Sequence, residues 1–435
     1  MIKNREEILK GDVEAKRIAL EVVEYAIRKA DPYAMVYDFL KGSNFERVYV
    51  VGIGKASCPM AKAVEDVLGD NIEEGIAVTK HGYGMPLERI EVIEAGHPIP
   101  DENSVEGAKR GLEIAEKVRE EDLLIVLISG GGSSVFAMPE DGITLEDKIK
   151  TYELLLKSGA RIHEINTVRK HISKIKGGKF VKNVRGKVLA LIISDVVGDD
   201  LEVIASGITV KDPTTFKDAY EVLKRYGIWD ELPESVRNHI ELGMLGKREE
   251  TLKEDLQNVE NVLICGTGRV CEFALEKARE FGNAYIITST LEGEARHVGT
   301  VIGSIVEEIW KKDRPFEKPA ILIFGGETTV TIRGKAGRGG PNQELALSCA
   351  KKIAGLRGCC VVAVDTDGTD GPTDVAGGIV DSYTAEVVDV DEYLSRHDAY
   401  EGLKRAGALV VTGPTRTNVN SLIVAVVCGS SSTEL

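Results

Sequence analysis

Leu123–Ser134 reads LLIVLISGGGSS. The apolar run Leu123–Ile128 reads as a strand buried on both faces. The three glycines after it let backbone amides approach a ligand with no Cβ in the way. The serines on either side add hydroxyls that can donate to phosphate oxygens. Ser129, Gly130, Gly131, Gly132, Ser133 and Ser134 are therefore the leading candidates for holding nucleotide phosphates.

Working outward, strands alternate with helices. Arg47–Ile53 is a strand and Ala56–Leu68 a helix; Gly75–Val78 and Ile90–Ile93 are short strands. Asn103–Arg119 is a helix expected to be capped by Asn103. Val188–Ile193 is another buried strand. This alternation predicts a parallel sheet with helices on both faces, a Rossmann-like three-layer domain. The charged stretch 228–260 holds the expected boundary, giving domains 1–245 and 255–435. A second α/β series follows, over Val262–Cys265, Ala284–Ile287, Ala320–Phe324, Val361–Val364, Ala408–Val411 and Ser421–Val427. The last strand could return to the first domain. At the other end, Ala15, Ile18, Ala19, Val22, Val23 and Ala26 form one apolar helical stripe.

The chain has 435 residues, 43% hydrophobic and 29% charged, as in a globular protein. No apolar run is long enough to span a bilayer, and the start lacks a signal peptide's apolar region, so the cytoplasm is expected. A net charge of −15 argues against nucleic acid or an anionic membrane as partner. The 7 cysteines show no zinc or CxxC spacing and read as reduced, mostly buried thiols. Abundant Glu and Lys, with Gln only at 257 and 343, point to a thermophile.

Val51–Ser57, VGIGKAS, is strand, Gly-rich turn and helix start, so Gly52, Gly54 and Lys55 offer an anion site. It is neither a Walker A motif nor a full GxGxxG, since Ser57 stands where the third glycine belongs. Val361–Asp374 carries Asp365, Asp367, Asp370 and Asp374 on a Gly-rich loop after a buried strand. Such a loop suits a divalent cation, although Asp and Gly are also the commonest turn formers. Glu327, in GGETT, could complete a metal site with Asp365, Asp367 and Asp370. Asp195 ends the strand Val188–Ile193 and could accept a substrate hydroxyl proton or act as a turn aspartate. Arg338, between glycines and just before a helix expected near Asn342, can reach a carboxylate or phosphate through a bidentate fork. Arg169, Lys170, His171, Lys174, Lys176 and Lys179 make a basic segment able to face an anion, with most of these side chains read as solvated. His97, in GHPIPD, reads as a structural hydrogen-bonding residue. Loops of glycine and hydroxyl residues, with single cations and aspartates, suit phosphoryl transfer, where positioning and charge neutralisation dominate.

Eight strings in one order carry a resemblance: VGIGKAS, GHPIPDENS, SGGGSS, INTVRKHIS, GGETTV, GRGGPNQE, DTDGTDGPTD and GPTRTNVN. Over essentially its whole length the chain resembles the type II glycerate kinase family, whose C-terminal module is the MOFRL family and whose N-terminal module is DUF4147. The resemblance implies two α/β domains, the second with a mixed sheet, and an active site in the interdomain cleft. It also implies ATP, Mg²⁺ and D-glycerate as reactants, with 2-phosphoglycerate as product. Carried onto this sequence, it implicates Lys55 and Arg338 in catalysis. Lys55, Arg169, Arg338 and Asn342 are the expected substrate-binding residues, and Asp195 is the candidate base. The sequence departs from the family pattern at Arg416, where glycine is expected, and at Ser421, where aspartate is expected. The expected partner is a small molecule, and a homodimer stays open. Other readings are a hydroxypyruvate reductase, a 3-phosphoglycerate-forming kinase and a non-catalytic nucleotide sensor.

Overall fold

The computed structural model describes residues 1–332 and 334–429. Their contacts divide into two units, one of residues 32–264 and one of residues 1–31 with those from 265 onward. The first unit is built on β1 (Val48–Ile53), β2 (Ile72–Lys80), β3 (Ile90–Ala95), β4 (Leu123–Ile128), β5 (Lys187–Ile193) and β6 (Val259–Cys265). They lie in the order β3-β2-β1-β4-β5-β6. β1 runs parallel to β2 and β4, β2 to β3, and β4 to β5.

β1 is buried throughout because successive residues meet different helices. Gly52 faces Ser57 of the helix Ser57–Leu68, while Val51 faces Gly111 of the helix Glu102–Lys117. Apolar side chains of β1, β2, β4 and β5, including Val51, Val78, Val126 and Ala190, form the core under the second of these helices. A further core, around Leu155, Val168, Phe216, Trp229 and Ile240, joins the helices of residues 145–244. The helix cap differs from expectation. Asp101, not Asn103, caps Glu102–Lys117 by accepting from the Ser104 amide at 3.0 Å, while Asn103 donates to the Glu94 carbonyl at 2.8 Å.

The other unit has a mixed sheet of β7 (Asn283–Leu291), β8 (Ala320–Gly326), β9 (Cys359–Asp365), β10 (Gly377–Asp381), β11 (Leu409–Val410) and β12 (Ser421–Val427). Their order is β11-β10-β9-β12-β8-β7. β7 and β8 are parallel; the pairs from β8 through β12, β9 and β10 to β11 are antiparallel.

The expected domain limits differ from these units in two places, at residues 255–264 and at residues 1–31. The strand expected at Val262–Cys265, at the start of the second series, is instead part of β6, which borders β5 in the first sheet. β12 does not return to that sheet, but lies between β9 and β8. Residues 1–31, expected in the first domain, join the C-terminal half. There the helix Val13–Lys29 buries its apolar stripe on β9, β12 and the helix Thr267–Ala278. Lys16 and Asp381 form a buried ion pair at 2.9 Å in that contact. None of the cysteines is in a disulfide among the described residues, and all are buried except the partly exposed Cys428. Among the described residues, no helix is long and apolar enough to cross a membrane.

Candidate functional site

In the parallel sheet the strand order reverses between β1 and β4, since β2 and β3 lie on one side and β5 and β6 on the other. At such a switch point the loops after adjacent strands part, leaving a crevice where α/β proteins bind ligands. The VGIGKAS loop follows β1 and the SGGGSS loop follows β4.

These loops hold one another. The Lys55 amide donates to the Gly130 carbonyl at 2.9 Å, and the Ala56 amide to Ser129 Oγ at 3.0 Å. Gly54 has φ +106°, and a Cβ there would stand 2.3 Å from the Ser129 carbonyl oxygen. Only glycine fits that crossing. Gly131, with φ +83°, passes so near His97 that a Cβ would lie 2.9 Å from the ring.

His97 follows β3 and Asp195 follows β5, so chemistry-bearing residues come from the carboxyl ends of β1, β3, β4 and β5. Burial lowers the His97 imidazole to about 4, and the charges of Lys55 and Lys80 push the same way. The ring is therefore neutral near pH 7. Burial raises the Asp195 carboxyl, while the Lys55 charge draws it partly back. Lys55, His97 and Asp195 thus share one electrostatic environment. His97, expected to be a structural residue, sits against Gly131 at the end of β3 within that environment.

The hydroxyls of the SGGGSS loop have protein partners. Ser129 Oγ donates to the Ile53 carbonyl at 3.2 Å, Ser134 Oγ to the Pro98 carbonyl at 2.8 Å, and Ser133 Oγ bonds Ser206 Oγ at 2.8 Å. The Gly132 and Ser134 amides turn back to the Ser129 and Gly131 carbonyls. Gly52 is packed against Ser57 and Ala77, which makes it a close-packing position.

The basic segment is not the expected solvated face. Lys170 is buried and pairs with Asp212 at 3.2 Å, and Lys179 pairs with Glu140 at 2.6 Å. Lys176 is buried with its Nζ donating to the Ser133 carbonyl at 3.0 Å. Arg169 lies half-buried on the helix Ile162–His171, its guanidinium 4.5 Å from the Tyr152 ring centroid.

The remaining predicted residues gather in the other unit. β8 and β9 both pair with β12, which brings Gly326 and Asp365 opposite Ser421. Asp370 caps the helix Pro341–Ile353. Its Oδ1 accepts from the Asn342 amide at 3.0 Å and its Oδ2 from the Gln343 amide at 2.8 Å. The Asn342 and Gln343 side chains also donate to it, at 3.2 and 2.9 Å. Both oxygens are engaged, so Asp370 serves the helix and is a poor metal ligand in this arrangement. Asn342 also donates to Ser421 Oγ at 2.8 Å. Arg338 pairs with Asp374 at 2.5 Å and lies 3.8 Å from the Tyr400 ring centroid.

Asp365 is pushed up to about 8, first by burial and then by the negative charges of Asp367, Asp370 and Glu327. Carboxylates crowded against their own repulsion fit a divalent cation, which would relieve it. Among the described residues, however, no three His, Cys, Asp or Glu side chains are gathered closely enough to hold a metal. Arg416, where glycine was expected, has φ +68°, the backbone region glycine enters without strain.

Fold and loops together define a doubly wound α/β protein with a cation-bearing polar crevice at its switch point, joined in one chain to a mixed-sheet unit. Residues 18–241 match the family model described as a domain of unknown function, DUF4147, and residues 320–421 match the MOFRL family. The chain is 57% identical over 433 residues to a glycerate 2-kinase of Pyrococcus horikoshii, covering 95% of this chain and 98% of that one. It is 48% identical to a D-glycerate 2-kinase of Thermotoga maritima, with the same coverage. A protein named putative hydroxypyruvate reductase, from Agrobacterium vitis, is 42% identical over 95% of this chain and 94% of its own. The crystal structure of a Thermotoga maritima glycerate kinase superposes with a TM-score of 0.88 at 48% identity, covering 94% of this chain and 99% of that one. The chain belongs to the type II glycerate kinase family.

Proposed function

We propose that this chain is an ATP-dependent kinase that phosphorylates D-glycerate to 2-phosphoglycerate. The observation that carries the reading is near-full-length identity of 57% to a glycerate 2-kinase, in a chain whose switch-point loops bring Lys55 into the environment of Asp195. Lys55 neutralises charge on the transferred group. Asp195, its carboxyl raised by burial, takes the proton from the glycerate hydroxyl. Neutral His97 packs beside Gly131 and Lys55 and keeps the loop in shape without adding charge. Arg338, already stacked on Tyr400, exchanges Asp374 for a carboxylate or phosphate in a bidentate fork. Ser129–Ser134 orient nucleotide phosphates, and Arg169 and Asn342 help position the acceptor.

With no three carboxylates gathered among the described residues, Asp365 and its acidic neighbours Asp367 and Glu327 would serve Mg²⁺ only together with the nucleotide phosphates, whose charge the ion would neutralise when bound. The reductase reading has less support, since neither a full GxGxxG nor a ribose-binding acid follows β1.

Incubation with ATP, Mg²⁺ and D-glycerate, followed by enolase, tests the proposal. Direct conversion by enolase establishes transfer to the 2-hydroxyl. Conversion only after phosphoglycerate mutase is added would make this a 3-kinase, and absence of ADP would sink the kinase reading.

A further inference from the structure

Near the Ser129–Ser134 loop, the unit of residues 32–264 buries cations with little negative charge to answer them. Lys148 and Tyr152 stand one turn apart on the helix Leu145–Lys157, and Asn166 and Arg169 one turn apart on Ile162–His171. Lys148 Nζ is 5.5 Å from the Tyr152 ring centroid, and Arg169 covers the same ring at 4.5 Å. Lys148 and Lys176 are fully buried. Glu140, the carboxylate facing this cluster, is engaged by Lys179 at 2.6 Å.

Lys148 Nζ, Tyr152 OH, Asn166 Nδ2 and Arg169 Nε are buried and have no hydrogen-bond partner. Leaving one such group unmet carries its full desolvation cost, so natural interiors rarely tolerate several together. All four can donate, and the lysine, amide and guanidinium nitrogens can do nothing else. A ligand that completes them must be negative and rich in acceptors.

The cluster is tied to the Gly-rich loop. Lys176 Nζ donates to the Ser133 carbonyl, and Asn166 Oδ1 accepts from Ser206 Oγ at 3.0 Å, which in turn bonds Ser133 Oγ. Ala205 and Ser206 sit at φ +49° and +57°. Residues other than glycine held in that region gather at ligand sites.

We propose that Lys148, Tyr152, Asn166, Arg169 and Lys176 form an oxyanion site that takes one carboxylate or phosphate group of a small ligand. Arg169, the least buried member, lies toward solvent. The inference shares Arg169 with the acceptor-positioning reading above, but it is read by occupancy and not by turnover.

The test is calorimetry and thermal unfolding of the full chain with sodium phosphate, sodium D-glycerate or glycerol, at ionic strength matched with chloride. Phosphate or D-glycerate is expected to bind and raise Tm, and glycerol, which has hydroxyls but no anion, is not. D-glycerate alone would identify a carboxylate seat, and phosphate alone a phosphate seat. Lys148→Met and Tyr152→Phe are expected to weaken that binding at least tenfold. Without anion, Lys148→Met should unfold at the same or a higher temperature, because it removes an unanswered buried amine; a purely structural lysine would lower it. Burial, reinforced by Lys179 and Arg169 and opposed by Glu140, holds Lys148 near 7, and the Lys148 charge in turn depresses Lys176. Anion binding at pH 8 should therefore take up a proton, seen as heats that vary with the buffer's ionisation enthalpy. Absence of binding by both anions, or equal binding in both variants and wild type, overturns the site. Failure of the kinase reading would appear separately, as no ADP from ATP and D-glycerate.

Discussion

At Gly54 two constraints coincide, a positive φ and a carbonyl oxygen 2.3 Å from where a Cβ would stand. Gly54→Ala is expected to cost about 3 kcal/mol or more in urea unfolding, because backbone must move to admit the methyl group. Lys55 is different: its side chain carries chemistry while its backbone joins the loops. Lys55→Ala should lower kcat by about 10²–10³ while shifting stability by less than about 1 kcal/mol. Near-wild-type turnover would remove the lysine from the mechanism. Lys148 gives a pH signature. Its folded value, about 7, lies below the ordinary lysine value of 10.5, so between these limits the unfolded chain binds more protons. Stability relative to Lys148→Met should therefore rise with pH from about 7 to 10.5, by at most about 1.4 kcal/mol per pH unit. Below about 7 the amine is charged in both states and its burial penalty is fully present. Denaturation midpoints of the two proteins at several pH values check this.

Elements differ in how openly they announce themselves. β4, β5 and β9 are apolar runs, visible in sequence because both of their faces are covered. β10, Gly377–Asp381, went unread because its opening glycines resemble a loop; Gly377 in fact lies where a Cβ would stand 2.0 Å from the Ala363 carbonyl oxygen of the neighbouring strand. β6 was legible as a strand but not as a neighbour of β5, since pairing depends on contacts distant in sequence. The acidic loop shows the same limit: four aspartates suggested a metal, but Asp370 caps Pro341–Ile353 and Asp374 binds Arg338. Asp370→Ala should cost about 2–4 kcal/mol, because it strands two buried helix amides. Far-ultraviolet circular dichroism during urea unfolding measures the loss, and an unchanged midpoint would return Asp370 to the pool of metal ligands.

At the scale of the molecule, residues 1–31 belong with a half of the chain that begins more than two hundred residues later. Asp12 accepts from the Gly358 amide at 2.8 Å and from Ser382 Oγ at 2.6 Å, and Lys16 pairs with Asp381. A chain begun at residue 32 should lose the cooperative unfolding of the mixed-sheet unit, because the helix covering β9 and β12 is gone. Residues 32–264 expressed alone should keep a folded parallel sheet, and calorimetry of the two truncations tests both expectations. The sequence by itself determined the α/β class, the buried strands, the Gly-rich loops and the family, because periodicity, composition and contiguous motifs are local properties. Only the tertiary structure decided that β1 and β4 are neighbours at the switch point, that His97 and Asp195 share the environment of Lys55, and that Lys148 Nζ, Tyr152 OH and Arg169 Nε are buried near one ring without hydrogen-bond partners. Those relations come from chain crossings and burial, which bring together residues far apart in sequence.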